Sequence, residues 1–160
     1  MTEIVRQRVH AVMQKDFVVF LIGMRVNRWW KIHKWWPVAM AMPRMIKELS
    51  ANPASGFLGG RGWVGNPTVF VQYWTSIEAL DAYAKNPNQA HLPAWAAFNR
   101  RVAKNGDVGI WHETYQVRAH EYETVYNNMP RFGLGTVGEL VPATGVFETF
   151  SGRLRKQASP

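Results

Sequence analysis

Five histidines carry the clearest chemical potential in this 160-residue chain. A neutral imidazole can move a proton near neutral pH, or present one ring nitrogen to a metal. His10 lies near the N-terminus, His33 in a Trp- and Lys-rich stretch, and His120 behind the last strong apolar run. These three read as surface or locally hydrogen-bonded residues. His91 and His112 differ. His91 follows the breaker Asn86-Pro87-Asn88 and opens a helical pattern, and His112 stands inside an alternating apolar run. The bland reading of each is an imidazole satisfied in the core. The chemical reading is a ligand or a general acid–base. No His-x-x-x-His, His-Glu-x-x-His or His–carboxylate cluster appears, so the pattern does not point to zinc. The absence of Cys excludes a disulfide framework, thiolate-held metal clusters, a Cys nucleophile and covalent c-type haem attachment.

Charge and aromatic content narrow the partners. Lys and Arg number 19 against 11 Asp and Glu, and seven of the cations fall in residues 1–34 beside two acids. Such a basic stretch suits a nucleic acid, an anionic lipid surface or an anionic cofactor. No zinc-finger spacing, KH loop or RNP-like strand is present, so nucleic acid is not expected. Within segment 28–36, Trp29, Trp30, Trp35 and Trp36 frame Lys31, Ile32, His33 and Lys34. The cluster reads as core and lid packing, or as a peripheral membrane contact and mouth for an apolar substrate. Met40, Met42 and Met45 read as core filler. No apolar run approaches the roughly 18 residues of a membrane span, and residues 1–16 lack leader features; a cytoplasmic location is the expectation.

The elements that must position these groups follow from periodicity and punctuation. Residues 17–26, FVVFLIGMRV, predict a buried strand. Residues 35–50 predict a helix with Pro37 in its first turn. Pro43 falls inside, so the helix kinks or starts late. Residues 57–65 and 68–75 predict a hairpin across Gly65-Asn66-Pro67. Ser76 caps a helix running to Lys85. Residues 91–104 predict another helix, and 108–117 an alternating strand with Ile110, His112, Thr114 and Gln116 on one face. Trp111, Glu113, Tyr115 and Val117 take the other. The order β–α–β–β–α–β predicts a ferredoxin-like α+β domain over 17–127, with helices on one face of a four-stranded antiparallel sheet. It leaves an N-terminal arm (1–16) and an irregular tail (128–160). The large side chains on the far face predict burial against a second copy, a homodimer.

The stretch from Thr75 to Tyr126 resembles the C-terminal half of the haem-containing aldoxime dehydratases. It carries a Ser-started helix, a short polar turn, the pair His91-Leu92, then a strand with the pair His112-Glu113, 21 residues on. The resemblance implies a noncovalent b-type haem with His91 as its iron ligand and His112 acting on the distal side. Haem propionates need cations, for which Arg25, Arg100, Arg101 and Lys104 are candidates beside their plainer reading as solvated charges. The dehydratases are about twice as long, and their substrate-binding serine and arginine have no matched counterpart; Arg25 or Arg61 is available. The whole chain is similar to short bacterial monooxygenase-like proteins, akin to spheroidene monooxygenase, of the dimeric α/β-barrel superfamily. Together these imply a haem-binding, monooxygenase-like oxidoreductase acting on a small or apolar organic substrate. The alternatives are a haem-dependent aldoxime dehydratase and a cofactor-free or non-catalytic barrel protein.

Overall fold

The β-branched run forms β2 (Phe17–Val26), an inner strand of the sheet and the axis of the fold. A computed structural model describes residues 3–101 and 104–156; the side chains of Arg101, Arg155 and Lys156 fall outside that description. Strand β2 pairs antiparallel with β4 (Val69–Trp74) on one side and β5 (Val108–Val117) on the other, and β3 (Phe57–Trp63) lies outside β4. The strand order β3-β4-β2-β5, with its two crossovers, is that of the ferredoxin-like α+β fold. The first crossover holds α1 (Ile32–Ala39) and α2 (Ala41–Ala51), the second α3 (Ile77–Lys85) and α4 (His91–Arg101).

The single helix expected over 35–50 is two helices. A proline ring clashes with the carbonyl four residues earlier, here that of Ala39, where α1 ends. Pro43 then sits in the first turn of α2, where a missing N–H costs nothing. Ser76 caps α3 as its spacing suggested: its Oγ accepts from the N–H of Ala79 at 3.1 Å. Residues 102 and 103, the end of the helix expected over 91–104, lie outside the described residues.

Alternation sorts the sheet residues by face. Toward the helices, Val18, Trp74, Met45, Leu49 and Tyr83 form one core cluster. Met24, Val26 and Val108, packed with Trp35, Val38 and Phe98, form a second. On the far face Phe17 and Tyr73 meet Ala11 and Leu134.

That last contact is made by segments read as an arm and an irregular tail. Residues 9–12 form β1, which pairs antiparallel with β6 (Glu139–Pro142), and a short helix α5 (Phe150–Lys156) follows. His10, read as a surface or locally hydrogen-bonded residue, is 1% exposed and stacks on Phe147 at 4.9 Å, so its surface reading is corrected. Its pKa is lowered by burial and by the nearby Arg153 guanidinium. The correction has a simple cause: pairing between β1 and β6 is long-range, and a short strand carries little periodicity of its own.

One glycine is demanded by packing. A Cβ on Gly23 would lie 1.9 Å from the carbonyl oxygen of Thr68 and 2.6 Å from Nε1 of Trp111. Only a bare backbone lets the Trp111 indole cross the far face there and donate to that oxygen at 3.3 Å.

Candidate active site

His112 lies in the middle of β5, an edge strand, cross-strand from Ile22 and therefore on the helix-bearing face. Its ring meets that of Phe20 at 5.7 Å, and the side chain is exposed rather than buried. Phe20, Ile22 and Phe70, all on the same face, are only half-buried although β2 and β4 are interior strands. Phe20 packs against the first helix-side cluster, whereas Ile22 and Phe70 belong to neither that cluster nor the one at Met24. The three form a partly exposed apolar floor beside an accessible imidazole. Such a floor can hold a flat apolar molecule, and the imidazole can exchange a proton with it.

His91 opens α4 as expected and is half-buried. Its Nδ1 lies 3.0 Å from the carbonyl oxygen of Ala84, and its ring packs on Tyr83 at 6.1 Å. The carboxylate of Glu48 binds this corner, accepting from the hydroxyl of Tyr83 at 3.2 Å and from the N–H of Ala90 at 2.9 Å. Burial, then the charge of Glu48, pushes the Tyr83 phenol well above its ordinary pKa. His91 and His112 therefore touch different aromatics, at two edges of one core cluster.

The four cations suggested for haem propionates do not converge. Arg25 projects from the face opposite His112, exposed, with its Nε donating to Asn27 Oδ1 at 3.0 Å. Arg100 and Lys104 are exposed at the far end of α4 and beyond it, and the side chain of Arg101 is not described. The sequence reading missed two residues on the far face. There Tyr73 of β4 and Tyr126 of the C-terminal segment border a cavity of about 420 Å³ with Glu123 and Phe132. Alternation in 68–75 places Tyr73 on that face, but nothing local signals Tyr126 as its neighbour.

Fold and site together define a ferredoxin-like domain with a partly exposed apolar floor beside a histidine on its helix-bearing face. The chain belongs to the Monooxygenase af470-like family, whose profile matches residues 17–134. It is 28% identical over 92 residues to Monooxygenase af470 of Aspergillus fumigatus, covering 58% of this chain and 32% of that protein. It thus spans about a third of the length of this curated relative. Among solved structures it is similar to SnoaB of Streptomyces nogalater, described as a cofactor-independent oxygenase, with 18% identity and a TM-score of 0.46, covering 64% of this chain and 94% of that one. A dimeric ferredoxin-like protein of unknown function from Jannaschia sp. CCS1 aligns with 20% identity and a TM-score of 0.44, covering 63% and 99%.

The expectation of haem b ligated by His91 is corrected. The family is that of a monooxygenase. The candidate propionate cations do not assemble one site: Arg25 projects from the face opposite His112, and Arg100 and Lys104 are exposed at and beyond the end of α4. Among the described residues no group of three or more His, Asp or Glu is placed to hold a metal ion. No helix among them is long and apolar enough to cross a membrane.

Proposed function

We propose that this chain is a cofactor-free oxygenase of a small, electron-rich apolar molecule, with His112 as the proton acceptor. The observation that carries the reading is the accessible His112 imidazole above the half-buried floor of Phe20, Ile22 and Phe70. Family membership supports the reaction class, and the cofactor-independent neighbour supports the chemistry that needs no prosthetic group.

The floor binds a flat substrate by apolar contact, with an acidic CH2 beneath the imidazole. His112 removes a proton, and the electron-rich carbanion passes electrons to O2. One oxygen atom stays on the substrate as a new carbonyl; the other leaves as water with the two hydrogens lost from carbon. Substrate and O2 balance the reaction without a further reductant. His91, tied to Ala84, acts as a positioning residue for the α3–α4 corner. The β1–β6 ladder and α5 serve as a cover for one end of the 17–127 domain. Leu21, Val69 and Trp111 lie on the remaining part of the far face, which we assign to a homodimer contact, as the dimeric neighbours support. The exposed Trp29, Trp30, Ile32 and Trp36 suit a peripheral membrane contact that delivers an apolar substrate.

The test is oxygen uptake by purified, chelator-treated protein with anthrone, whose CH2 is acidic and whose anion is electron-rich. Uptake without added haem is expected, and His112→Ala or His112→Gln should lower kcat on the order of 10²-fold at an unchanged melting temperature. Full turnover in both variants, or uptake only after haem is added, overturns the proposal.

A further inference from the structure

The open hollow on the far face continues past Tyr73. A second hollow of about 130 Å³ shares Tyr73, Phe132 and Gly133 with the first and adds Arg61, Trp63 and Val71. Its wall is aromatic. Trp63 meets Phe132 edge-on at 5.7 Å, and the Arg61 guanidinium caps the Phe132 ring at 5.4 Å. Its polar content is two phenols. Tyr73 is 9% exposed, and among the described residues nothing is hydrogen-bonded to its hydroxyl. The Tyr126 hydroxyl accepts from the Gly135 N–H at 3.1 Å, which leaves its own hydrogen to donate.

Gly133, at φ +54°, is why both hydroxyls stay open to the hollow. A Cβ there would stand 3.5 Å from the Tyr73 oxygen and 3.6 Å from the Tyr126 oxygen, filling the space between them. Burial raises both phenols, Tyr73 to about 12, so each keeps its proton and remains a donor. The Tyr73 hydroxyl, on an otherwise nearly buried residue, opens to the hollow and can be completed by a ligand or by water. Two converging donors call for one acceptor oxygen. The carboxylate of Glu123 on the same lining is ion-paired with Arg153, so the lining offers no free charge to an ionised ligand and the acceptor is a neutral oxygen. The flat aromatic wall calls for a ring system beside it.

We propose that this cavity is a binding site for an aromatic carbonyl compound, its oxygen held between the hydroxyls of Tyr73 and Tyr126 and its ring against Phe132 and Trp63. The site lies on the opposite face of the sheet from His112, and the inference stands apart from the oxygenase reading. The test is calorimetric titration of the full chain with acetylnaphthalene and with ethylnaphthalene, which lacks the oxygen. Acetylnaphthalene should bind about a hundredfold more tightly, a difference of two hydrogen bonds. Tyr73→Phe should cut that preference to about tenfold and leave ethylnaphthalene within about twofold of its original affinity. Phe132→Ala should weaken both compounds. If Tyr73→Phe does not fold, Tyr126→Phe makes the same comparison. Equal affinity for the two compounds, or an intact preference in the folded phenylalanine variant, overturns the proposal.

Discussion

Replacing Gly23 with Ala tests the packing on which the far face depends. The new methyl would stand 1.9 Å from the Thr68 carbonyl oxygen, against an ordinary contact distance of 3.4 Å or more. That oxygen is backbone, so it must move by more than 1 Å. Thr68 is held to Met24 by its N–H donating to the Met24 carbonyl at 2.8 Å and by its Oγ1 accepting from the Met24 N–H at 2.9 Å. The Trp111 indole, donating to the same Thr68 carbonyl at 3.3 Å, must move as well. Three hydrogen bonds strained or lost, at about 1 kcal/mol each, give about 3 kcal/mol, in line with overpacking at a tight site. For a urea slope of about 2 kcal/mol per M, the midpoint should fall by about 1.5 M. Urea unfolding followed by tryptophan fluorescence and by far-ultraviolet circular dichroism reads it. A loss below about 0.5 kcal/mol would refute the reasoning, because the Thr68 backbone would then be free to yield.

Three further outcomes follow from the geometry. Ser76→Ala removes the side-chain acceptor of the Ala79 N–H and should cost about 1 kcal/mol in the same urea assay, whereas Ser76→Asp should retain most of it. Asp107, 1% exposed, is desolvated by burial, yet Lys31 and Arg28 at 3.0 and 2.7 Å hold its carboxyl below the ordinary carboxylate range. Its folded pKa lies below its unfolded one, so its contribution is present above about pH 4 and disappears as pH falls through the folded value. Thermal melts across that acid range should show a fall that Asp107→Asn flattens, and identical pH profiles for the two proteins would contradict the pairing. Light scattering at micromolar concentration should give a dimer, and Trp111→Lys should give a monomer; a monomeric original protein would exclude the far-face contact.

The local elements were legible because each carries its own signal. The run 17–26 has no polar interruption, 108–117 alternates, and Ser76 precedes an acid-led first turn, so β2, β5 and α3 begin where the residues suggest. Alternation alone also sorted His112 from Trp111 and Tyr115. The Pro43 break was visible, though the stop at Ala39 required knowing which carbonyl its ring would strike.

What local signals do not encode is which distant segment arrives. The burial of His10 depends on a four-residue strand meeting residues 139–142, and neither segment is long enough to show a period. Cations spaced along the chain looked available to one ligand, but strand register puts Arg25 on the face opposite His112. The identity of β5 as an edge strand, which leaves His112 open, is a property of strand order. The meeting of Tyr73 with Tyr126 across Gly133 is likewise a consequence of a chain returning over a sheet. The sequence by itself determined the elements and the face each side chain takes, since backbone period and sterics act between near neighbours. Only the tertiary structure decided which faces are covered and which side chains converge, because burial and loop return depend on contacts far apart in the chain.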